Sequence, residues 1–445
     1  MNSVGIVIAY FLPIGFLLVA WNGLPPARAR LAAGNGLLVM GLASVAYAVC
    51  GFAFQFGGLG LVTSLSGYES LRSVASLLGA QEAGWGFIGL RGFLLGGGAV
   101  TPEISGLFLH HLPLVLTAVL IPSLALAGRV RSLGLAALAV AIAGLVYPLA
   151  ANWIGGGGWL ANLGTHLQLG HGVVDFAGAG PVYLLGGGVA AIGLVLFGHR
   201  PLTASDAPSE LPPAHFPLLA AVGAGLFGLG WMAWVGSEPL HGADPALNLP
   251  LAMTNGLLSA AAAAVITQGY GWLASARVDP AMAARGWLAG WVIVSAGAPF
   301  IPTWMALVLG TLAGIWLPLG AFIVERALRR EDSTGAVSLC GLLGLWGVLA
   351  PGALADGNWG AGWNGVGADE YLAVKGQGVT GMFTPGGFIA DPGQFTAQLV
   401  ELAVILALAA LAAWIVLGVL RLAARRWAVM SPSPASSQLT SHAGQ

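Results

Sequence analysis

Eleven mostly apolar stretches of about 20 residues follow one another along the chain, and each is long enough to cross a membrane as a helix. They lie at roughly 4–24, 34–57, 104–127, 132–152, 179–198, 215–236, 249–272, 282–299, 303–325, 335–355 and 395–420. Only 7% of the 445 residues are Asp, Glu, Lys or Arg, whereas soluble domains are about 25% charged. The sequence therefore predicts an all-α integral membrane protein with eleven transmembrane helices.

The same shortage of charge excludes whole classes of function. A soluble globular enzyme needs a polar surface, and a nucleic-acid-binding protein needs a basic face. The two cysteines, Cys50 and Cys340, lie in separate apolar stretches and have neither disulfide nor metal-ligand spacing. The N-terminus lacks a basic segment and a small-residue cleavage site, so we interpret it as a first span and not as a removable signal.

The basic residues are distributed unequally between the loops on the two sides of these spans. If the N-terminus is outside, thirteen of the sixteen face the cytoplasm: Arg28, Arg30, Arg129, Arg131, Arg200, Arg277, Arg285, Arg326, Arg329, Arg330, Arg421, Arg425 and Arg426. The opposite side has only Arg72, Arg91 and Lys375. Because cytoplasmic loops are enriched in Lys and Arg, we expect an N-out, C-in topology. We divide the chain into a membrane domain, residues 1–420, and a short polar cytoplasmic tail, residues 421–445, expected to be disordered.

The fifth and tenth spans begin with the same pattern. Asp175 is followed by Gly178 at position +3 and Tyr183 at position +8, and Asp332 is followed by Gly335 and Cys340 at the same spacing. One span begins outside and the other inside, so the pattern predicts two inverted five-helix repeats around a central pore. Position +8 lies about 12 Å along the helix, near the middle of the membrane.

The two aspartates allow two interpretations. Each can cap its helix by accepting hydrogen bonds from free backbone amides, which is the simpler one. A carboxylate at the membrane edge can also shape the surroundings of an entering cation, and this is favoured more for Asp175 than for Asp332. The repeat independently predicts that Tyr183 and Cys340 line one central pore.

Several short motifs of the chain are together specific for one family. They are GGGGWLANLG (155–164) with DFAG (175–178), LAG (288–290) with IP (301–302) and LG (309–310), GAVSLCG (335–341), GNWGAGWN (357–364) and QFTAQ (394–398). They resemble motifs of the ammonium transporter family (Amt/Mep/Rh), and the resemblance extends over nearly all of the chain up to about residue 420.

The resemblance implies an eleven-helix protomer in the cell membrane, assembled as a homotrimer with one ammonium or ammonia pore per subunit. We expect no cofactor, no metal and no catalytic residue. The tail lacks the charged segment with which family members meet PII-type regulators, so we do not predict that partner.

The family's outer vestibule recognises the cation with a serine and aromatic rings, and the segment WMAWVGS (231–237) resembles that motif with one residue fewer. By this resemblance Ser237 is the cation-contacting hydroxyl, Trp234 a gating aromatic and Trp231 part of the same motif. Phe108 is the residue nearest to the family's gating phenylalanine in the third span. The alternative for Trp234 is packing against lipid or another helix, because the motif is shorter.

The main departure from the family lies at the pore centre, where its twin histidines correspond to Tyr183 and Cys340. An imidazole pair passes protons near neutral pH, but a phenol and a thiol do not ionise readily in an apolar pore. Tyr183 is also large enough to plug the lumen. We therefore expect transport without the usual histidine relay.

Three other residues could not be assigned from the sequence. His110 and His111 could approach the vestibule, but adjacent residues on a helix do not face the same way. Glu401 lies inside the eleventh span. An intramembrane carboxylate is a functional candidate, but extension of this side chain to the membrane interface is the favoured interpretation.

Three hypotheses of function follow. The leading one is a channel or transporter for ammonium, ammonia or a similar small solute. The second is a non-conducting relative that acts as an ammonium sensor or assembly subunit, since both pore histidines are replaced. An intramembrane enzyme is disfavoured, because the sequence shows no nucleophile–base pair and no histidine-rich metal site.

Overall fold

The computed structural model describes residues 3–76, 85–96, 101–198, 215–241, 244, 246–276, 279–384 and 387–430. The α-helices in this part of the chain are α1 (Ser3–Ala9), α2 (Phe11–Asn22), α3 (Pro26–Ala46), α4 (Phe52–Phe56), α5 (Pro102–Ala125), α6 (Ser132–Ala141), α7 (Tyr147–Gly155), α8 (Leu163–Leu167), α9 (Leu185–Phe197), α10 (His215–Gly236), α11 (Leu249–Ser275), α12 (Pro280–Val294), α13 (Thr303–Leu328), α14 (Leu343–Leu354) and α15 (Pro392–Met430). Four π-helical segments continue some of them: Tyr47–Gly51, Ile142–Val146, Ala179–Leu184 and Ala336–Leu342.

The loops contain short regular elements that the sequence did not predict. Two antiparallel hairpins pair β1 (Val74–Ser76) with β2 (Gly86–Gly89) and β3 (Glu370–Tyr371) with β4 (Val374–Lys375). There are also single 3₁₀ turns at Leu59–Leu61, Phe93–Leu95 and Trp363–Gly365. These elements lie in the segments between the predicted spans.

The helices confirm the predicted all-α membrane fold. Ten helical segments of the described chain are long and apolar enough to cross a membrane, and they coincide with ten of the eleven predicted stretches. The exception is the predicted stretch 282–299, where α12 has only 15 residues and ends at Val294. At 1.5 Å per residue α12 is about 22 Å long, shorter than the ~30 Å hydrocarbon layer. The predicted count of eleven is therefore not confirmed by helix length.

Close helix crossings join the two predicted repeats at equivalent places. In the fifth and tenth spans, a Cβ atom added to Gly187 would lie 2.3 Å from the Cα atom of Gly341. In the first and sixth spans, a Cβ atom on Gly230 would lie 2.2 Å from the backbone nitrogen of Leu12. Small residues allow this approach, which is typical of helix packing in membranes. Each crossing pairs one helix of the first repeat with its counterpart in the second.

The outer surface of the helix bundle is apolar, as lipid requires. Its most exposed large side chains include Leu133, Leu273 and Trp414, at 83%, 81% and 73% exposure. The last helix continues beyond residue 420 to Met430, so the predicted tail begins with helix. Residues 431–445 lie outside the described residues, as do Arg200 and Arg277 from the predicted cytoplasmic loops.

Candidate functional site

The fifth and tenth spans begin with the same backbone structure as well as the same sequence pattern. Gly178 and Gly335 have positive φ angles of 75° and 73°, in the left-handed region that glycine adopts without strain. A π-helical segment follows each glycine, Ala179–Leu184 in one span and Ala336–Leu342 in the other. The spacing seen in the sequence thus corresponds to one repeated turn.

Each predicted aspartate accepts hydrogen bonds from the amides at the start of its span. The two oxygens of Asp175 accept from the amides of Ala179 and Gly180, both at 2.7 Å. Asp332 accepts from the Val337 amide, and from the Ser338 amide and hydroxyl at 2.8 Å each. Both carboxylates therefore satisfy helix-start amides that would otherwise lack partners.

Tyr183 and Cys340 lie within the two π-helical segments, which contact each other. Both side chains are fully buried. The Tyr183 hydroxyl approaches Ser295 but makes no hydrogen bond of normal geometry with any residue that the structure describes. The predicted pore centre is thus filled by an aromatic ring and a thiol.

A cavity of about 110 Å³ lies outside this centre, at the mouth of the bundle. It extends inward to Asp175, Gly178 and Pro181, but neither Tyr183 nor Cys340 belongs to its lining. Most of the other lining side chains are aromatic or polar, among them Gln55, Phe56, His111, Tyr147, Phe176, Trp234, Glu238, His241, Trp363 and Asn364. We refer to this cavity as the vestibule.

Trp234 lies in the vestibule wall and contacts two successive histidines. Its ring stacks on His110 at 4.6 Å between centroids and meets His111 edge-on at 6.1 Å. The indole nitrogen donates a hydrogen bond to the backbone oxygen of His110 at 2.9 Å. Phe176 approaches the same indole at 6.0 Å. Trp234 therefore packs between the third span and the loop that precedes the fifth.

Two of the predicted vestibule residues lie behind this wall. Phe108 stacks on Tyr47 at 5.4 Å between centroids and is not part of the vestibule lining, whereas His111 is. Trp231 packs against Trp291 at 4.9 Å. Of the aromatic residues predicted here, the structure places Trp234 in the lining.

Ser237, the fourth predicted vestibule residue, belongs to a buried polar chain. Its hydroxyl lies 2.7 Å from the Ala233 backbone oxygen and 3.4 Å from Nδ1 of His110. On the other side of the imidazole, Nε2 lies 3.1 Å from a carboxylate oxygen of Glu238. Ser237, His110 and Glu238 therefore form one connected chain of polar contacts.

Glu238 gives the vestibule a negative charge. Burial alone would raise the pKa of this carboxyl, but the charge and hydrogen bonds of His110 and His241 hold it well below its usual range. Its other oxygen accepts from the Leu240 amide at 3.0 Å and lies 3.9 Å from His241. Glu238 directly follows the predicted Ser237, but no motif in the sequence marks it as a vestibule residue.

Of the two adjacent histidines, His111 belongs to the vestibule lining and His110 does not. The indole of Trp234 contacts both, because its face stacks on His110 and its edge meets His111. The interpretation of Glu401 as an interfacial side chain is wrong. It is 0% exposed, and Oε2 lies 3.0 Å from the amide nitrogen of Gln398.

Comparison with known proteins gives the site a family context. Residues 4–426 match the model of the Ammonium Transporter Family. The chain is 28% identical to ammonium transporter Amt2 of Archaeoglobus fulgidus over 371 residues, which are 78% of each chain. It is 24% identical to ammonium transporter 1 member 3 of Solanum lycopersicum over 413 residues, covering 89% of this chain and 81% of the relative.

The fold is shared with solved structures of lower sequence identity. A structure named Sensor Amt Protein superposes with a TM-score of 0.70 at 21% identity, covering 94% of this chain and 91% of the other. Mep2 of Saccharomyces cerevisiae superposes with a TM-score of 0.69 at 18% identity, covering 93% and 83%. With the family match over nearly its whole length, the chain belongs to the ammonium transporter family.

Proposed function

We propose that the protein carries ammonium, as the ion or as neutral ammonia, across the cell membrane, and that it works as a homotrimer with one pore per subunit. The observation that carries this proposal is the vestibule, where Trp234 and the buried carboxylate of Glu238 line a cavity that ends at Asp175. Its relatives are named ammonium transporters.

The vestibule has the chemistry to attract a small cation. A carboxylate in a partly dehydrated site attracts a unit positive charge more strongly than it would in water. An aromatic ring adds cation–π attraction of about 0.5 to 2 kcal/mol, depending on dehydration. Glu238 and Trp234 supply these two interactions from the loop after the sixth span and from the span itself.

The pore centre favours a neutral solute over an ion. Tyr183 and Cys340 are fully buried, and neither carries a charge at neutral pH. An ammonium ion that passed this point would lose its hydration without a compensating charge, whereas ammonia would not. We therefore propose that the cation is recognised outside and that ammonia crosses the centre, without a histidine relay.

Flux into proteoliposomes tests the proposal. The purified protein should raise ammonium or methylammonium uptake above that of empty vesicles, and Trp234→Leu should raise the apparent KM roughly tenfold, the upper part of the cation–π range. Trp414→Leu is the matched control, because this tryptophan is 73% exposed on the lipid side. Uptake no faster than in empty vesicles would overturn the proposal.

The filled pore centre supports a second candidate, a non-conducting member that senses ammonium or serves as an assembly subunit. The fully buried ring of Tyr183 is the observation behind it. This candidate predicts that Tyr183→His combined with Cys340→His creates a flux that the native protein lacks. If the native protein already carries a flux equal to that of the double variant, the non-conducting candidate is overturned.

A further inference from the structure

A second buried carboxyl lies beside Asp175, outside the vestibule and on a different span. Glu401 of α15 is within hydrogen-bonding reach of the Asp175 side chain. A Cβ atom placed on Gly180 would lie 2.5 Å from Oε1 of Glu401 and 3.2 Å from Oδ2 of Asp175. The two carboxyls therefore face one small space, which only a glycine at 180 leaves open.

The hydrogen-bond donors around this space are too few for two carboxylates. Both oxygens of Asp175 are already held by backbone amides at 2.7 Å. Among the described residues, the donor to Glu401 is the amide group of Gln398. The two hydrogens of that group also have backbone acceptors at 2.9 Å and 2.8 Å, the oxygens of Val174 and Val348. Oε1 of Glu401 has no donor among the described residues.

The described titratable groups that face the two carboxyls do not supply the missing hydrogen-bond donor or a positive charge next to them. They are the phenols of Tyr147 and Tyr183, whose charged forms would be negative, and the imidazole of His111 across the vestibule. Two carboxyls this close in a buried site do not ionise together, because like charges repel and neither is hydrated. A proton on Oε1 of Glu401 supplies the missing donor and bonds to Asp175.

We propose that Asp175 and Glu401 share one proton and form a proton-binding site beside the path, at which an entering ammonium ion leaves a proton. This step rests on the proposed function. An N–H bond of ammonium breaks, its electron pair stays on nitrogen, and the proton passes to the carboxylate of Asp175. The pair then holds two protons, ammonia continues past Tyr183, and the added proton returns through the vestibule.

Infrared spectroscopy of the full-length protein in proteoliposomes tests the shared proton without any flux. The native protein should show the carbonyl stretch of a protonated carboxyl at neutral pH. Glu401→Gln should remove this band, and Asp175→Asn should shift it, because the acceptor of the proton changes. Glu103→Gln is the control and should leave the band unchanged, since this carboxyl is exposed at the start of the third span and is not part of the pair.

Ammonium flux into the same vesicles tests the transport step. The infrared band and the flux together distinguish failure of the shared proton from failure of the proposed function. Asp175→Asn removes the carboxylate that accepts the proton and should lower ammonium flux about 100-fold, the lower end of the contribution of a positioned proton acceptor. A native protein that conducts but shows no such band, or a band unchanged in both variants, overturns the shared proton and leaves the proposed function standing. An Asp175→Asn variant with native flux overturns the transport step. A band that responds as expected in a protein without flux supports the pair and overturns the proposed function.

Discussion

Nε2 of His110 lies 3.1 Å from a carboxylate oxygen of Glu238, although the two residues are 128 positions apart in the chain. The imidazole comes from the third span and the carboxylate from the loop after the sixth, so this contact joins the two repeats at the pore mouth. Removing one partner of such a buried pair leaves the other without compensation, which is costly. We therefore expect the packing of the vestibule wall to depend on the carboxylate of Glu238, which also supplies its negative charge.

Replacement of Glu238 by Gln should weaken cation recognition. We expect the apparent KM for ammonium uptake to rise about tenfold, which corresponds to about 1.4 kcal/mol of lost attraction. Glu103→Gln removes an exposed carboxylate at the start of the third span and should leave the apparent KM unchanged. An unchanged apparent KM in Glu238→Gln would show that the carboxylate does not contribute to ammonium recognition.

The low pKa of Glu238 also predicts the response to acid. Burial raises the pKa of this carboxyl, but the charge and hydrogen bonds of His110 and His241 lower it by more. Because the folded-state pKa lies below the unfolded value of about 4.3, the stabilisation from this group is complete above that pH and is lost as the pH falls towards the folded value. The apparent KM of wild-type uptake should therefore not rise through protonation of Glu238 between about pH 7 and about pH 5. A carboxylate-dependent rise in this window, absent from Glu238→Gln, would contradict the assignment.

The crossing of the fifth and tenth spans should not tolerate one extra carbon atom. Gly187→Ala places a Cβ atom 2.3 Å from the backbone of Gly341, so the two spans must separate. We expect loss of the folded protein, measured by size-exclusion chromatography after extraction in mild detergent. Gly225→Ala is the control, because no described atom outside its own stretch of helix lies within 4 Å of its added Cβ. That change should be neutral or stabilise the helix by up to about 1 kcal/mol.

The hydroxyl of Tyr183 should contribute nothing to stability. It is buried without a hydrogen bond of normal geometry, so Tyr183→Phe removes a polar group that gains little from folding. The midpoint of thermal unfolding should stay the same or rise. Tyr47→Phe provides the comparison, since that hydroxyl donates to Gln55 at 2.8 Å and its removal should cost about 1 to 3 kcal/mol. A comparable loss in Tyr183→Phe would reveal a bonded hydroxyl at the pore centre.

Much of the fold could be predicted because it depends on local sequence. Apolar length locates each span, and the Asp–Gly spacing identifies the repeat, since a helix-start carboxylate and a left-handed glycine act within a few residues. The prediction of a full eighth span was less successful. Apolar residues continue to Phe300 there, but the backbone leaves the helix after Val294, where its oxygens accept from Phe176 and Ala177. That pairing is tertiary and leaves no local signal.

The vestibule could be predicted only in part for the same reason. Trp234 was identified from a motif, but the stacking of His110 depends on how two distant spans pack. Glu401 looked interfacial because its position along α15 is near one end, whereas its direction around the helix decides its burial. Gln394 and Gln398 on that face bond the backbone of residues 171–174, and they mark the side that faces the protein.

The paired π-helical segments have a consequence for the direction of the two buried side chains at the pore centre. A π turn contains one residue more than an α turn, so deleting one residue from Ala179–Leu184 would restore an ordinary helix and rotate Tyr183 by about 100° relative to Asp175. The same deletion in Ala336–Leu342 would rotate Cys340 relative to Asp332. The extra residue in each turn thus sets the direction in which Tyr183 and Cys340 point from their spans.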